Sequence, residues 1–300
     1  MTASNDAQST VSTSPATPYQ PRGSLKSRTI LMSGGSRGIG LAIALRAARD
    51  GANIVMLAKT GQPHAKLDGT VFTAAAQVEA AGGQALPLVG DVRNDDDVAA
   101  AVAAAVGKFG GIDVVVNNAS AIDLSRTPDV DMKRYDLMQD INVRGTFLLS
   151  KLALPALLAS GNGQILTLSP PLNLDPKWAG MHLAYTMAKY GMSLTTLGLA
   201  QEFKDQPLSV NSLWPCTLID TAAIRAMPGG GRIAEAARGP EIMSDAAHAI
   251  LTGSHLAPDA ARESGRFYTD EEVLAGAGVR DFTPYSLGAA EDQLVPDIFL

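Results

Sequence analysis

The chain has 300 residues, of which 46% are hydrophobic and 18% are charged, with a net charge of -6. That length suits one large α/β domain with a sizeable core, and the acidic balance argues against non-specific binding to nucleic acid or to an anionic membrane. A single cysteine, Cys216, excludes an internal disulfide. Because one cysteine suits a reducing compartment, we predict a cytoplasmic location.

The first 27 residues are rich in Ser, Thr, Pro and Gln and contain almost no large apolar side chains. We predict a disordered tail over residues 1–27 and a single folded domain over residues 28–300. The tail lacks the apolar stretch of a signal peptide. No run of about 18 apolar residues follows, so we expect no membrane-spanning helix.

The stretch Ile30–Gly40, ILMSGGSRGIG, organises the rest of the chain. A short apolar run reaches a cluster of glycines, and helical spacing follows, which predicts a strand, a tight turn and a helix. Gly34, Gly38 and Gly40 let the backbone turn sharply and approach a diphosphate, and the free N–H groups of the helix start attract that anion. The alternative, a turn that only packs the strand on the helix, stays open at this point.

Strand-like and helix-like segments alternate along the body of the chain. Two strand candidates are almost unbroken apolar runs, as parallel strands covered on both faces are. The alternation predicts an α/β fold with a doubly wound, Rossmann-type parallel sheet of about seven strands. The predicted strands are Thr29–Ser33, Asn53–Ala58, Ala85–Val89, Ile112–Val116, Gly163–Leu168, Leu208–Leu213 and Arg266–Thr269. The predicted helices are Gly38–Asp50, Thr70–Ala81, Asp95–Phe109, Lys133–Ser160, His182–Lys204 and Pro240–Leu251.

The ends of the second, third and fourth strands indicate how a dinucleotide is bound. The second strand ends at Lys59, without the carboxylate that would bond the ribose 2′-hydroxyl of NAD, and Arg37 adds a second cation. Two cations favour the 2′-phosphate of NADP, although Lys59 as an ordinary surface lysine remains an alternative. Asp91, followed by Val92, can accept from an adenine amino group or cap the next helix. Asn118 follows the fourth strand, where a flat cofactor lies.

The residues that can carry chemistry come after these. Tyr185 and Lys189 lie four residues apart in a helical pattern, so both side chains leave the same face. A nearby ammonium lowers the pKa of a phenol, which is about 10 when unperturbed. Such a pair can exchange a proton with an oxygen whose carbon exchanges hydride. Alone the pair would more often be a helix surface, but Asn142 in an earlier helix and Ser169 at the fifth strand make the ordered set specific.

This ordered set resembles the short-chain dehydrogenase/reductase family, from about Ser27 to about Asp270. Four segments also resemble one subgroup of that family, whose members often end in a sterol-carrier-like lipid-binding domain. We expect no such domain within these residues. The four segments are AKTGQPHAKLDGT, SPPLNLDP, AYTMAKYGMS and LWPCTLIDTAA.

The resemblance implies a role for each of these residues. Tyr185 would be the general acid in reduction and the base in oxidation, and Lys189 would bind the ribose hydroxyls and lower the Tyr185 pKa. Asn142 would hold a water in a proton relay, and Asn118 would border the nicotinamide. The remaining positions would hold the diphosphate, the 2′-phosphate and the adenine: Gly34, Ser36, Arg37, Gly38, Ile39, Gly40, Lys59, Asp91 and Val92.

The chain departs from the family at two places. The family has a serine at a fixed distance before the catalytic tyrosine, where this chain has Leu172. Anchoring on the strand end instead places Pro170 there, with Ser169 one residue earlier, and a one-residue shift reverses the face of a side chain. Whether Ser169 reaches the substrate therefore stays open. Cys216 replaces a usual glycine, and we predict a buried apolar cysteine rather than a nucleophile.

The segment Thr221–Pro240 contains Met227, Pro228 and three glycines, which indicates a mobile substrate lid or a plain surface loop. Its apolar content favours an apolar substrate. His64 and His182 have no partner at metal-binding spacing, so we predict no metal site.

Taken together, these residues predict an NADP(H)-dependent oxidoreductase that interconverts a secondary alcohol and a ketone, with a lipid-like or acyl substrate as one option. The alternative is a non-catalytic NADP(H)-binding sensor or scaffold. The resemblance also implies a homodimer or homotetramer formed through two long helices, where the apolar side chains are Leu148, Leu149, Leu152, Leu197 and Leu199.

Overall fold

The computed structural model describes residues 17–63, 69–226 and 229–300. Within them, seven strands form one parallel sheet in the order β3-β2-β1-β4-β5-β6-β7, so the predicted doubly wound α/β fold is confirmed. Each predicted strand is present, with bounds that move by at most two residues. The strands are β1 (Thr29–Ser33), β2 (Asn53–Ala58), β3 (Gln84–Val89), β4 (Val114–Asn117), β5 (Gly163–Thr167), β6 (Leu208–Trp214) and β7 (Phe267–Thr269).

The helices agree with the prediction except in one long element. The predicted helix Lys133–Ser160 is divided by a π-helical turn, Gln139–Arg144, whose hydrogen bonds span one residue more than those of an α-helix. Four short helices were not predicted: Pro176–Met181, Ala222–Arg225, Gly230–Glu235 and Asp270–Gly276. The helices are α1 (Gly38–Ala48), α2 (Val71–Ala80), α3 (Asp95–Phe109), α4 (Met132–Met138), α5 (Gly145–Ala159), α6 (Pro176–Met181), α7 (Leu183–Glu202), α8 (Ala222–Arg225), α9 (Gly230–Glu235), α10 (Glu241–Thr252) and α11 (Asp270–Gly276).

The central strands are buried along their whole length because helices cover both faces of the sheet. Successive side chains of a strand point to opposite faces. Ile30 and Met32 of β1 pack with α1 and α10, while Leu31 packs with α3 and α5 on the other side. Because all seven strands are parallel, their carboxyl ends lie at the same edge of the sheet, where ligands bind in folds of this kind.

The described part of the predicted tail is ordered. Tyr19 is 4% exposed and Leu25 is 2% exposed, and the Tyr19 hydroxyl lies 2.9 Å from Nδ1 of His248 in α10. The prediction of disorder is therefore wrong for residues 17–27. The prediction used the average composition of the whole tail. That average hides the two large apolar side chains, Tyr19 and Leu25, that are buried against the domain.

A buried polar network joins this segment to the domain. His248 Nε2 lies 2.8 Å from Asp50 Oδ2, and Arg46 Nη1 donates to Asp50 Oδ1 at 3.2 Å. Arg46 Nε donates to Asp245 Oδ1 at 3.1 Å, and the Tyr285 hydroxyl donates to Asp245 Oδ2 at 2.8 Å. Each charge in the network thus has an opposite charge or a hydrogen-bonding partner, as buried charges require.

The helical run Met132–Ala159 is long and apolar enough, by length and composition alone, to cross a membrane. No membrane-spanning helix is expected from the sequence. Leu149, Ala153 and Leu157 of this run are fully buried against the sheet. Burial of this kind is what the core helix of a folded domain shows, and we interpret the run as a packing helix.

Candidate active site

The glycine turn between β1 and α1 is fixed by Asn118 at the end of β4. Asn118 Nδ2 donates to the carbonyls of Ser33, at 3.2 Å, and Gly34, at 2.8 Å. Gly34 and Gly38 have φ values of +74° and +57°, which favour glycine. A Cβ at Gly40 would lie 2.5 Å from Asn118 Nδ2. The turn is therefore packed so closely at Gly34 and Gly40 that a side chain larger than that of glycine would not fit there.

A cleft of about 410 Å³ opens above this turn, at the carboxyl edge of the sheet. It brings together nearly all the residues that were predicted to hold a dinucleotide. Gly40 lies behind the turn and Lys189 lines a neighbouring cavity, and neither is part of the cleft wall. The predicted residues that line the cleft are Gly34, Ser36, Arg37, Gly38, Ile39, Lys59, Asp91, Val92 and Asn118.

Charged side chains surround the far end of the cleft. Lys59 Nζ lies 3.4 Å from Asp91 Oδ2, and Arg93 makes a bidentate pair with the same carboxylate. Burial raises the pKa of Asp91, but the hydrogen bonds from Arg93 and the charge of Lys59 outweigh it and lower the pKa to about 2. Arg37 Nη2 donates to the carbonyl of Gly69 at 2.8 Å. Lys59 and Arg93 thus both contact the ionised carboxylate of Asp91, while Arg37 is held by the carbonyl of Gly69.

The glycine turn, the helix start behind it and the cations at the far end fit a nicotinamide dinucleotide. The turn leaves room for a diphosphate, because its glycines carry no side chain toward the cleft, and α1 begins at Gly38 with its free N–H groups on that side. Ala119 and Ser120 at the end of β4 give a small-residue floor for a flat ring. These residues would hold the cofactor.

Tyr185 and Lys189 line a second cavity of about 190 Å³ next to the cleft, which we call the catalytic cavity because it contains the pair predicted to exchange the proton. Both lie on α7 and both are at least nine-tenths buried. Lys189 Nζ donates to the carbonyl of Leu168 at 2.6 Å and lies 4.9 Å above the ring of Trp214. The structure therefore confirms that the phenol and the ammonium share one face of the helix and face the end of β5.

Burial controls the protonation of this pair. It lowers the pKa of Lys189 to about 7, with the negative charge of Asp297 opposing the shift. Burial also raises the pKa of Tyr185, and Asp297 raises it further. The arrangement in the structure thus holds the phenol protonated. The expected lowering of the Tyr185 pKa by Lys189 is not seen here, because burial and the charge of Asp297 both raise it.

Asn142 lies inside the π-helical turn and is fully buried. Its Oδ1 accepts from the backbone N–H of Ala121 at 2.7 Å, and its Nδ2 donates to the Ala121 carbonyl at 3.0 Å. The side chain therefore anchors the chain that follows β4, beside the catalytic cavity but outside its lining. Its predicted role in holding a water stays a prediction.

Ser169 does not reach the catalytic cavity. Its Oγ lies 2.9 Å from Oγ of Ser212 on β6, which in turn donates to Thr196 of α7. The neighbouring Leu168 lines the cavity instead. Ser169 as a catalytic residue is therefore a wrong prediction. The chain turns after Thr167, and the one-residue offset aims this hydroxyl into the protein interior.

Cys216 and the predicted lid lie beside the same cavity. Cys216 is only partly buried, but burial and the charge of Asp270 raise the pKa of its thiol to about 12, so it is not a nucleophile at neutral pH. Thr221 and Ile224, at the start of the predicted lid, line the cavity. Met227 and Pro228 lie outside the described residues, as does His64.

The residues that close the site from the far end of the chain were not predicted from the sequence. We call residues 295–300 the C-terminal segment. The backbone N–H of Asp297 donates to the carbonyl of Cys216 at 3.0 Å, and Trp214 Nε1 donates to the Ile298 carbonyl at 2.9 Å. The Asp297 carboxyl lines the catalytic cavity, where burial raises its pKa to about 7. The only local signal was an apolar ending, Ile298 to Leu300, after an acid.

Comparison with known proteins agrees with this geometry. The family model for short chain dehydrogenase matches residues 28–227. Hydroxysteroid dehydrogenase-like protein 2 of Danio rerio is 52% identical over 281 residues, which are 94% of this chain and 66% of the relative. The Homo sapiens protein of the same name is 50% identical over 278 residues, 93% of this chain and 64% of the relative. The chain thus spans about two thirds of the length of these relatives, and the predicted subgroup resemblance is confirmed.

Two solved structures are similar over nearly the whole chain. A Xanthomonas campestris protein is 53% identical with a TM-score of 0.85, covering 92% of this chain and 99% of that one. A short chain dehydrogenase from Mycobacterium thermoresistibile is 47% identical with a TM-score of 0.85, covering 92% of this chain and 96% of that one.

Proposed function

We propose that this chain, which belongs to the short-chain dehydrogenase family, is an NADP(H)-dependent oxidoreductase that interconverts a secondary alcohol and a ketone. One observation carries the proposal. The cavity that holds Tyr185 and Lys189 adjoins the dinucleotide cleft, and several residues line both. The shared residues are Ile39, Asn118, Ser120, Thr221 and Ala223.

The nicotinamide, when bound, supplies or accepts the hydride. Tyr185 would give its phenolic proton to the carbonyl oxygen in reduction and take it back in oxidation. Lys189 in its ammonium form would bind the ribose hydroxyls and favour the phenolate. Since Ser169 faces the interior, the oxygen of the substrate would be polarised by Tyr185 without help from that serine.

The general test is consumption of NADPH with a panel of ketones and 3-oxoacyl thioesters. We expect turnover with at least one ketone. Tight NADPH binding with a completely inactive panel would contradict the catalytic assignment and favour a binding protein.

We expect Lys59→Ala to reduce the preference for NADP over NAD by about tenfold, because one charge-assisted contact with the 2′-phosphate would be lost. The measurement is the ratio of the two dissociation constants, read from the fluorescence of the bound nicotinamide. Lys133→Ala is a matched control, since Lys133 is exposed at the start of α4. An unchanged ratio in the Lys59 variant would count against the phosphate assignment.

We propose self-association through the exposed faces of α5 and α7. The sequence analysis assigned this contact partly to Leu149 and Leu199, but both are buried in the core. The side chains that are available instead are Phe147, 53% exposed, and Leu194, 56% exposed, which line a shallow groove between the helices. Packing such side chains between copies would remove an exposed apolar patch from water.

Leu194→Glu tests this surface. A buried charge at a contact between copies is unfavourable, so we expect the molar mass measured by light scattering to fall to that of a monomer. Leu287→Glu, at another exposed apolar side chain, is the control and should leave the mass unchanged. The same mass for both variants and the native protein would refute the assignment.

A further inference from the structure

The side chain of Phe299 lies at the centre of an aromatic cage. We use this name for Trp178, His182, Tyr185, Tyr190 and Trp214, whose rings all have their centroids between 5.3 and 6.2 Å from the Phe299 ring. The ring is stacked on that of Tyr185 at an interplanar angle of 28°. Phe299 is completely buried. A phenyl group from the far end of the chain thus fills the space beside the catalytic phenol.

The backbone that delivers this ring is unfavourable. Phe299 has a φ of +78°, a conformation that bulky side chains rarely adopt. Residues 297–300 belong to none of the strands or helices within the described ranges. A few hydrogen bonds to its backbone hold the segment, including one that Asn173 Nδ2 donates to the Phe299 carbonyl at 3.3 Å. The next residue, Leu300, is 39% exposed. The segment could therefore leave its position without disturbing the sheet. Burial of the Phe299 ring offsets the cost of the unfavourable backbone conformation at this residue.

The cage also contains polar atoms that a phenyl group cannot satisfy. Trp178 Nε1 and His182 Nε2 are buried and have no hydrogen-bond partner among the described residues. Both side chains are more than nine-tenths buried, and both rings face Phe299. Orphaned buried polar atoms of this kind are uncommon in folded proteins and call for an explanation.

The hydrogen bonds around His182 indicate which proton the ring carries. Thr186 Oγ1 is placed to donate its single proton to the carbonyl of Trp178 or of His182, so it accepts from His182 Nδ1 at 3.2 Å. Burial lowers the pKa of His182, which favours the neutral ring. The tautomer assigned from this network leaves Nε2 as an acceptor, while Trp178 Nε1 is a donor. An alcohol oxygen both donates and accepts, and so it suits this pair, whereas the oxygen of the matching ketone can accept from Trp178 Nε1 alone.

We propose that the aromatic cage is the substrate pocket, that it binds a phenyl-sized ring carrying a secondary alcohol or the matching ketone, and that Phe299 occupies it as an internal substitute for that ring. The inference rests on the proposed function for the position of the reacting carbon beside Tyr185. It goes further in giving the substrate class and in making the C-terminal segment a competitor for the pocket. Substrate must displace Phe299. Its apparent affinity is therefore its intrinsic affinity multiplied by the fraction of molecules in which the cage is free.

The two cage tryptophans make this testable by binding alone, because the chain has only two, Trp178 and Trp214. Trp178 reports on the cage, and Trp214 reports on the cage and on the adjoining cavity that Lys189 lines. The probe is 1-phenylethanol, titrated into the native protein, Phe299→Ala and the control Leu300→Ala, which leaves the cage filled. We expect Phe299→Ala to bind the probe about tenfold more tightly than the other two. Equal affinities for all three proteins, or no change in fluorescence, would overturn the proposal.

A second pair of measurements tests the polar atoms of the cage. Trp178→Phe keeps an aromatic ring and removes the N–H donor, with Trp214 still reporting. In the Phe299→Ala background we expect it to weaken binding of 1-phenylethanol about tenfold and to leave binding of ethylbenzene, which lacks the oxygen, nearly unchanged. An equal loss of affinity for both probes would mean that the cage does not form a hydrogen bond with the oxygen of the ligand.

These titrations separate the inference from the proposed function. The NADPH dissociation constant of each variant shows whether it is folded and binds cofactor. Should Phe299→Ala fail to fold, Phe299→Leu, which fills the cage less completely, replaces it. Probe binding without any turnover would refute the catalytic proposal and leave the cage assignment standing. Turnover of other ketones without probe binding would refute the cage assignment and leave the catalytic proposal standing.

Discussion

Tyr185→Phe is expected to lower kcat for ketone reduction by about 10²- to 10⁴-fold, the range in which a positioned proton donor contributes. The change removes one hydroxyl and keeps the ring, so its contacts with Phe299 and His182 remain. Cofactor binding should stay close to that of the native protein, because Tyr185 lines the catalytic cavity and not the dinucleotide cleft. The measurement is NADPH consumption with the best ketone of the panel.

Tyr268→Phe is the matched control for loss of a phenol hydroxyl. The Tyr268 hydroxyl donates to Glu263, and its strand β7 is separated from β1 and the cofactor turn by β4, β5 and β6. We expect full turnover from this variant. A Tyr185 variant that reduced ketones as fast as this control would exclude Tyr185 as the proton donor.

Asp245→Ala is expected to lower the free energy of unfolding by about 3 kcal/mol, the effect of removing one partner from a buried ion pair. Asp245 is 2% exposed and accepts from both Arg46 and Tyr285. Its loss leaves a buried guanidinium with one fewer carboxylate and a buried hydroxyl without an acceptor. Urea unfolding followed by circular dichroism gives the difference from the native protein.

The control for that measurement is an ion pair of similar length on the surface. Arg144 Nη2 lies 2.7 Å from Asp95 Oδ1, and both side chains are about half exposed or more. Asp95→Ala should cost less than about 1 kcal/mol, because water already screens the pair. If both variants lost the same stability, the buried network would not hold the domain as we infer.

The sequence predicted what depends on local spacing. Gly34 to Gly40 must turn at the end of a buried strand, and Tyr185 and Lys189 must share a helix face. Both statements follow from backbone geometry within a few residues, and both are confirmed. The divided helix around Asn142 was not predicted in the same way, because the partner of the Asn142 side chain, Ala121, lies outside the helix and its spacing gives no sign of the π-helical turn.

Two features of the site were not predicted correctly, one because of register and the other because of distance along the chain. Ser169 depended on the direction of a loop whose single-residue offset decides between cavity and interior. The Phe299 side chain reaches Tyr185 from the far end of the chain, and nothing in the spacing of either residue links them. Lys59 is a different case. Its position at the end of β2 is confirmed, whereas its contact with a phosphate stays a prediction.

Strand β1 has a consequence for the durability of the cofactor turn. It is paired with β2 on one side and β4 on the other, and its five residues are buried. Amide hydrogens in such a strand exchange with solvent deuterium only when the whole domain opens. The turn that begins at Gly34 is thus attached to a strand whose amide hydrogens we expect to be among the slowest to exchange, and its shape should persist for as long as the domain remains folded.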